Sequence, residues 1–365
     1  PEPDAVEPGP APPERPEDPA VRQLDFGTVE TVAEGLEIPW ALAFVDEDTI
    51  LVTERPGRVR VIEDGELRPE PVAEIDVTHE GEGGLLGIAL HPRFPNPRAV
   101  YLYYTAGGEN RISRFRLADD LGFESEDVLL TVPAASVHDG GRIAFGPDGL
   151  LYASTGEAGE PQIAANPDSL GGKILRLEPD GTPAGAGAFE DSPVLSYGHR
   201  NPQGFDWDED GRLYSSEHGP SGDFGLCCHD EVNLIEPGDF YGWPFLAGDA
   251  PAQGGDPPQP PVAPIAESGA DDTWAPGGLA VHEPEGGPPE LLVANLAGEQ
   301  LLRIELERGR PGEVAEIETP IDDLGRLRAA DLGPDGCLYL TTSNTDGRGS
   351  PREGDDRVLR ICERG

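Results

Sequence analysis

Residues 138–142 read HDGGR, an imidazole and a carboxylate followed by two glycines and a cation. A histidine titrates near neutrality and suits general-base work, while paired glycines let a ligand approach the backbone closely. A histidine satisfied by turn hydrogen bonds has the same local sequence, so a second group is needed to decide. That group is Glu157 in STGEAG, at the end of the next apolar stretch, where it is placed to orient His138 and stabilise its charge. Farther on, YGHRNPQG sets Arg200 and Asn201 just before Pro202, whose ring forces the residue ahead of it into an extended backbone. A guanidinium beside an amide suits a ligand rich in carboxylate or quinone oxygens. In SSEHGPSG, the Gly219-Pro220 bend is able to aim backbone carbonyls at a hard cation such as calcium.

These segments are parts of a repeat. Six hairpin signatures, each a small apolar strand, a polar turn and a second strand, start at residues 41, 87, 143, 204, 278 and 329. Each is followed, after a loop of variable length, by a further strand ending in a turn: RVRVIEDG, RISRFRL, KILRLEPDG, EVNLIEPG, LLRIELERG and RVLRICERG. Successive starts lie 46, 56, 61, 74 and 51 residues apart, somewhat longer than four-stranded blade repeats of roughly 40–50 residues. Helical periodicity is nowhere sustained, and 49 glycines with 40 prolines supply turns. The expectation is an all-β chain, a six-bladed β-propeller of four-stranded blades. Radial repetition leaves a central channel where loops from several blades converge, and the function is expected there.

Composition narrows the partners. Seventy acidic against 26 basic residues give a net charge of −44, which repels a nucleic-acid backbone and an anionic membrane surface alike. The acid excess fits a surface adapted to salt or a device that attracts cations. No apolar run approaches the roughly 20 residues of a membrane-spanning helix. Residues 1–25 hold eight prolines, many acids and no aromatic, so they read as a disordered tether ahead of a catalytic domain at 26–365. With no methionine anywhere, position 1 included, the chain reads as a trimmed product of export, periplasmic, tethered to the cell surface or extracellular. Four cysteines without CxxC spacing fit disulfides. Cys337 opens one strand and Cys362 ends another, so antiparallel pairing would bring their sulfurs together. Adjacent Cys227 and Cys228 either form a vicinal ring or stay thiols.

The ordered motifs GEGGLLGIALHPRF, HDGGRIAFGPDG, SYGHRNPQG, SSEHGPSG and DEVNLIEPGDFYGWP resemble those of the soluble PQQ-dependent aldose sugar dehydrogenases of the glucose/sorbosone dehydrogenase family. The resemblance runs from about Thr31 to the C-terminus. It implies that His138 takes the proton from an anomeric hydroxyl as hydride passes to pyrroloquinoline quinone (PQQ), with Glu157 in place of the family's usual aspartate. It places Arg200 and Asn201 beside the reacting quinone carbonyl and Arg326 and Arg328 on the cofactor carboxylates. Glu82 and Asp139 are assigned to the sugar, Glu82 standing where glutamine is common. Gly219 and Pro220 would offer carbonyls to a calcium ion that polarises the cofactor, and Glu231 with the Tyr241 backbone would hold a second, structural calcium. Two departures stand out. Ala297 replaces a common cofactor-neutralising lysine, for which Gln300 or Arg303 would be poor substitutes, and an insertion between Pro220 and Asp230 carries the adjacent cysteines.

The leading expectation is an exported quinoprotein that oxidises aldoses to lactones and passes electrons to an external acceptor. The alternative is a non-catalytic, calcium-stabilised sugar- or protein-binding propeller, supported mainly by Ala297. A lactone hydrolase is disfavoured, because the arginines call for an anionic cofactor. Sugar, acceptor and oligomeric state are left open.

Overall fold

The computed structural model describes residues 23–184, 189 and 191–364. Six antiparallel sheets follow one another along the chain, and each expected hairpin forms the first two strands of one of them. The innermost strands are Pro39–Phe44, Leu85–Leu90, Ile143–Phe145, Pro202–Trp207, Pro276–His282 and Leu327–Leu332. They pack against one another or a neighbouring blade's hairpin, and the last returns to the first, so the sheets are the blades of a closed ring. Glycine makes this approach possible: a Cβ at Gly87 would lie 2.3 Å from the Gly141 carbonyl oxygen, and one at Gly277 the same distance from that of Arg328.

Within a blade, burial falls from the axis outward. In blade two, Ala99–Ala106 is buried throughout, whereas the outer strand Phe123–Pro133 is mostly exposed. Apolar side chains of neighbouring blades, such as Leu51, Leu85, Leu102 and Leu151, interdigitate into the core, each contributing about 1.5–3 kcal/mol when fully buried. The fourth strand of the last blade is not from its own repeat. Glu30–Ala33 pairs with Val358–Ile361, with Thr31 opposite Leu359, so the start of the propeller closes its end. Leu24 adds a bridge to Glu363 and is itself buried. Residues 1–22 of the expected tether lie outside the described residues.

Both cysteine pairs are disulfides. Cys337–Cys362 joins the second and third strands of blade six at one end, where Leu338 stands opposite Ile361. Cys227–Cys228 closes as a vicinal ring. Between the second and third strands of blade three, the chain makes a long excursion with one short helix, Pro161–Ala164.

Candidate active site

A cavity of about 190 Å³ lies where the blades meet. All six blades or their loops reach its wall, with Trp40, Glu82, His138, Arg200, Ala275 and Arg328 as examples, so it sits on the axis. His138 reaches it from a left-handed backbone (φ 59°) just ahead of the inner strand of blade three. Its Nδ1 is hydrogen-bonded to Glu157 Oε1. Glu157 is fully buried, and its other oxygen has no hydrogen-bond partner. A carboxylate accepts the Nδ1 proton, which assigns the tautomer and leaves the Nε2 lone pair free. Glu82 Oε2 accepts from the His138 amide at 2.9 Å and from Asn201 Nδ2 at 3.1 Å. Burial alone would raise the Glu82 pKa, but in the acid range, where His218 gains its charge, His218 and His138, with the His138 amide bond and Arg348, outweigh it and hold the carboxyl below its ordinary range.

The wall is otherwise cationic. Arg55, Arg200, Arg326, Arg328 and Arg348 line it, against the carboxylates of Glu82 and Asp346. Arg326 is tied to Asp346 at 2.9 Å and to the Leu296 carbonyl at 3.1 Å. Arg200 donates to Asp223 at 2.8 Å, while its amide bonds to Glu217. Among the described residues, Arg328 has no carboxylate hydrogen-bond partner; it donates to Gln203 Oε1 at 2.8 Å and its guanidinium lies 5.6 Å from the Trp40 ring centroid. Arg142 approaches the same ring at 4.8 Å, so Trp40 is shared between two cations. Burial, with Arg55 and Arg326 close by, pushes Arg328 down to about 9, and its buried Nε has no partner. This uncompensated charge fits an anionic ligand with several acceptor oxygens.

Sequence reasoning singled out Glu82, His138, Arg200, Arg326 and Arg328, and the fold brings all five to one cavity. Asp139 is placed differently. Its side chain is buried behind the wall, accepting from Asn110 Nδ2 at 2.9 Å and the Ala135 amide at 3.1 Å, and burial pushes it up to about 6. Asn201 also lies behind the lining, where its Oδ1 takes the Gly140 amide and Gln203 Nε2, both at 3.0 Å. Gly219 and Pro220 are buried next to lining residue Ser221, and the Pro220 carbonyl accepts the Cys228 amide at 2.8 Å. A carbonyl oxygen has a second lone pair, so that bond leaves capacity for a cation. The cysteine-bearing insertion reaches the rim: Asp223 pairs with Arg200, and Cys228 Sγ lies 3.0 Å from the hydroxyl of lining residue Thr273.

Arg55, Arg348, His218, Gln203 and Trp40 were missed. The repeat contains a signal for two of them, since Arg55 follows the second strand of blade one as Glu157 follows that of blade three and His218 that of blade four. Burial pushes His218 down to about 4, so its imidazole is neutral at pH 7.

Glu231 belongs to a different centre. Across blade four it stands opposite Glu217 on one side and Glu267 on the other, three carboxylates in register on adjacent strands. Like charges directly opposite destabilise a sheet. Burial, then the Glu217 charge, pushes Glu231 up to about 8. Asp249 and His229 bring further ligand atoms to Glu267. This donor set, oxygen-rich and short of positive charge, fits a hard cation. The Tyr241 amide donates to Tyr197 O at 2.9 Å, and its ring stacks 4.7 Å from His199, which bonds to Glu217 at 2.8 Å.

A six-bladed propeller whose axial cavity joins a histidine–carboxylate pair to an arginine cluster defines a class of oxidoreductase that works on an anionic cofactor. The chain belongs to the glucose/sorbosone dehydrogenase family, whose model matches residues 36–352. It is 47% identical to a glucose dehydrogenase-type oxidoreductase from Thermus thermophilus, covering 93% of this chain and all of that one at a TM-score of 0.82. It is 40% identical to the PQQ-bound aldose sugar dehydrogenase of Streptomyces coelicolor, covering 92% and 98% of the two chains at a TM-score of 0.81. The aldose sugar dehydrogenase YliI of Escherichia coli is 30% identical over 87% of this chain and 91% of its own length.

Proposed function

We infer that the chain oxidises aldoses at the anomeric carbon, releasing a lactone and passing electrons to an external acceptor. It is a PQQ-dependent sugar dehydrogenase, and the observation that carries this reading is that His138 shares its cavity with five arginines facing two carboxylates. PQQ is a tricarboxylic acid, so its charge matches the excess on the wall. When bound, it would supply the two-electron acceptor.

The chain's own residues do the rest. Glu157 fixes the His138 ring and stabilises the imidazolium formed when Nε2 takes the anomeric hydroxyl proton. Glu82, ionised and facing the cavity, accepts a sugar hydroxyl. Arg326 and Arg328 would grip the cofactor carboxylates, and Arg200, with Asn201 behind it, would stabilise charge developing beside the reacting carbon. Ala297 lines the same wall as Arg55 and Arg348, whose charges support cofactor binding without the missing lysine and weigh against the binding-module reading. Calcium at the Gly219-Pro220 carbonyls and at Glu231 with the Tyr241 backbone completes the proposal, the Glu217–Glu231–Glu267 register supporting the second site. Two disulfides support export, since such bonds persist in oxidising compartments.

The test is to titrate apo protein with quinone plus calcium and then add glucose and a dye acceptor. A quinone spectral change followed by dye reduction is expected; neither would occur in a binding module.

A further inference from the structure

Lys173 is the only lysine among 26 basic residues, and its side chain is fully buried. Every other cation is arginine, so general composition does not account for it. Its Nζ donates to the carbonyls of Ile163 and Ala164, both at 2.9 Å, and of Gly171 at 2.5 Å. Three donors meet three acceptors, with no carboxylate among them. Burial pushes the ammonium down to about 7, and in its charged form all three of its protons are accepted by these carbonyls.

The three carbonyls belong to the excursion that begins at Glu157 and returns at Gly172. The backbone around them is bonded to both segments that carry the proposed chemistry. Gly172 N donates to Gly156 O at 2.9 Å, Gly198 N to Ala164 O at 2.9 Å and His199 N to Gly172 O at 3.2 Å. At the near end, Glu157 N donates to Arg200 O at 3.0 Å and Ala158 N to His138 O at 3.1 Å. There is little slack, because a Cβ at Gly156 would lie 1.9 Å from His138 O.

We propose that Lys173 is a positioning residue: its ammonium draws the 157–172 excursion against blade three and thereby holds the Glu157 carboxylate on His138 Nδ1. This rests on the reading of His138 as the base, but the geometry it concerns exists without cofactor.

A single lysine gives a single side-chain NMR signal, so its titration can be followed without ambiguity. In apo His138→Ala protein, where the imidazole no longer contributes, the Glu157 and Ala158 amide resonances are expected to move with the midpoint of the Lys173 signal, because an amine has one donor fewer than an ammonium. In apo Lys173→Met protein, the His138 Nδ1–H proton signal, held at low field by its hydrogen bond to Glu157, should move upfield as that bond loosens. With cofactor restored, kcat should fall about tenfold and KM stay within about twofold. The proposal is overturned if Lys173 titrates with no response at Glu157 and Ala158, or if folded Lys173→Met keeps both the His138 Nδ1–H signal and kcat. Should that variant fail to fold, the lysine titration decides alone. A moved His138 Nδ1–H signal with unchanged kcat would keep the positioning role and remove His138 as base.

Discussion

His138 and Arg328 face opposite electrostatic circumstances. The imidazole has a buried carboxylate hydrogen-bonded to it, whereas the guanidinium is buried with other cations nearby. Replacing His138 with alanine is therefore expected to lower kcat by about 10²- to 10⁴-fold while leaving quinone affinity within a few-fold; wild-type turnover in that variant would place the base elsewhere. Converting Arg326 and Arg328 to glutamine should weaken quinone binding in a fluorescence titration, with sugar dependence unchanged at cofactor saturation. Because an unpaired buried charge costs stability, Arg328→Gln alone should not lower the apo melting temperature, whereas Arg326→Gln should lower it by leaving the buried Asp346 carboxylate without its partner. Both sites were legible, because residue type and position in the repeat pointed the same way. Asp139 was not, because it follows a residue in the left-handed region. Which way the next side chain turns depends on Asn110 and Tyr103, far off in the sequence.

At the level of strands, three of the four in each blade could be read from apolar runs bounded by turns. The outer ones could not. Val314–Ile321 is exposed along most of its length, so nothing in its sequence had to be apolar, and the outer strand of blade four is only Ala266–Glu267, reached after a long excursion. The glutamate register was hidden for the same reason, since Glu267 becomes a neighbour of Glu231 only once that short strand pairs. If calcium relieves this repulsion, chelator should lower the apo melting temperature at low salt, and Glu231→Gln should remove much of that difference. An unmoved melting curve would leave only the cofactor-linked metal. Asp206 supplies a pH-dependent term of its own: it accepts the Val281 amide of blade five at 2.9 Å, and burial, against the amides of Val281 and Trp207, pushes it up to about 6. A folded-state value above the unfolded 3.8 means stability that is full below about 3.8 and lost as pH rises through about 6. Asp206→Asn should flatten urea-unfolding free energies between pH 4 and 6; the wild-type slope in that variant would assign the effect elsewhere.

The whole molecule holds a cationic core in an acidic shell, and its circular form was evident from six matched repeats. How the circle closes was not. ETVA at Glu30–Ala33 is a short strand whose partner lies at the other end of the chain, and no local pattern announces such a pairing. Two links act on that last blade. Removing residues through Ala33 should broaden the melting transition and lower its midpoint, because the blade would expose an unpaired edge. Cys337→Ser should cost about 3 kcal/mol by releasing a 25-residue loop constraint; a chemical-denaturation midpoint equal to wild type would mean the strand pairing suffices. The closure also sets an order of events during synthesis. The strand that seals the ring is translated ahead of all six hairpins, yet its partner at Val358 emerges 325 residues after Ala33, roughly 16–65 s later at about 5–20 residues per second. Until then five blades can form but the circle cannot, so a ribosome stalled in the final repeat would release an open, cavity-less crescent.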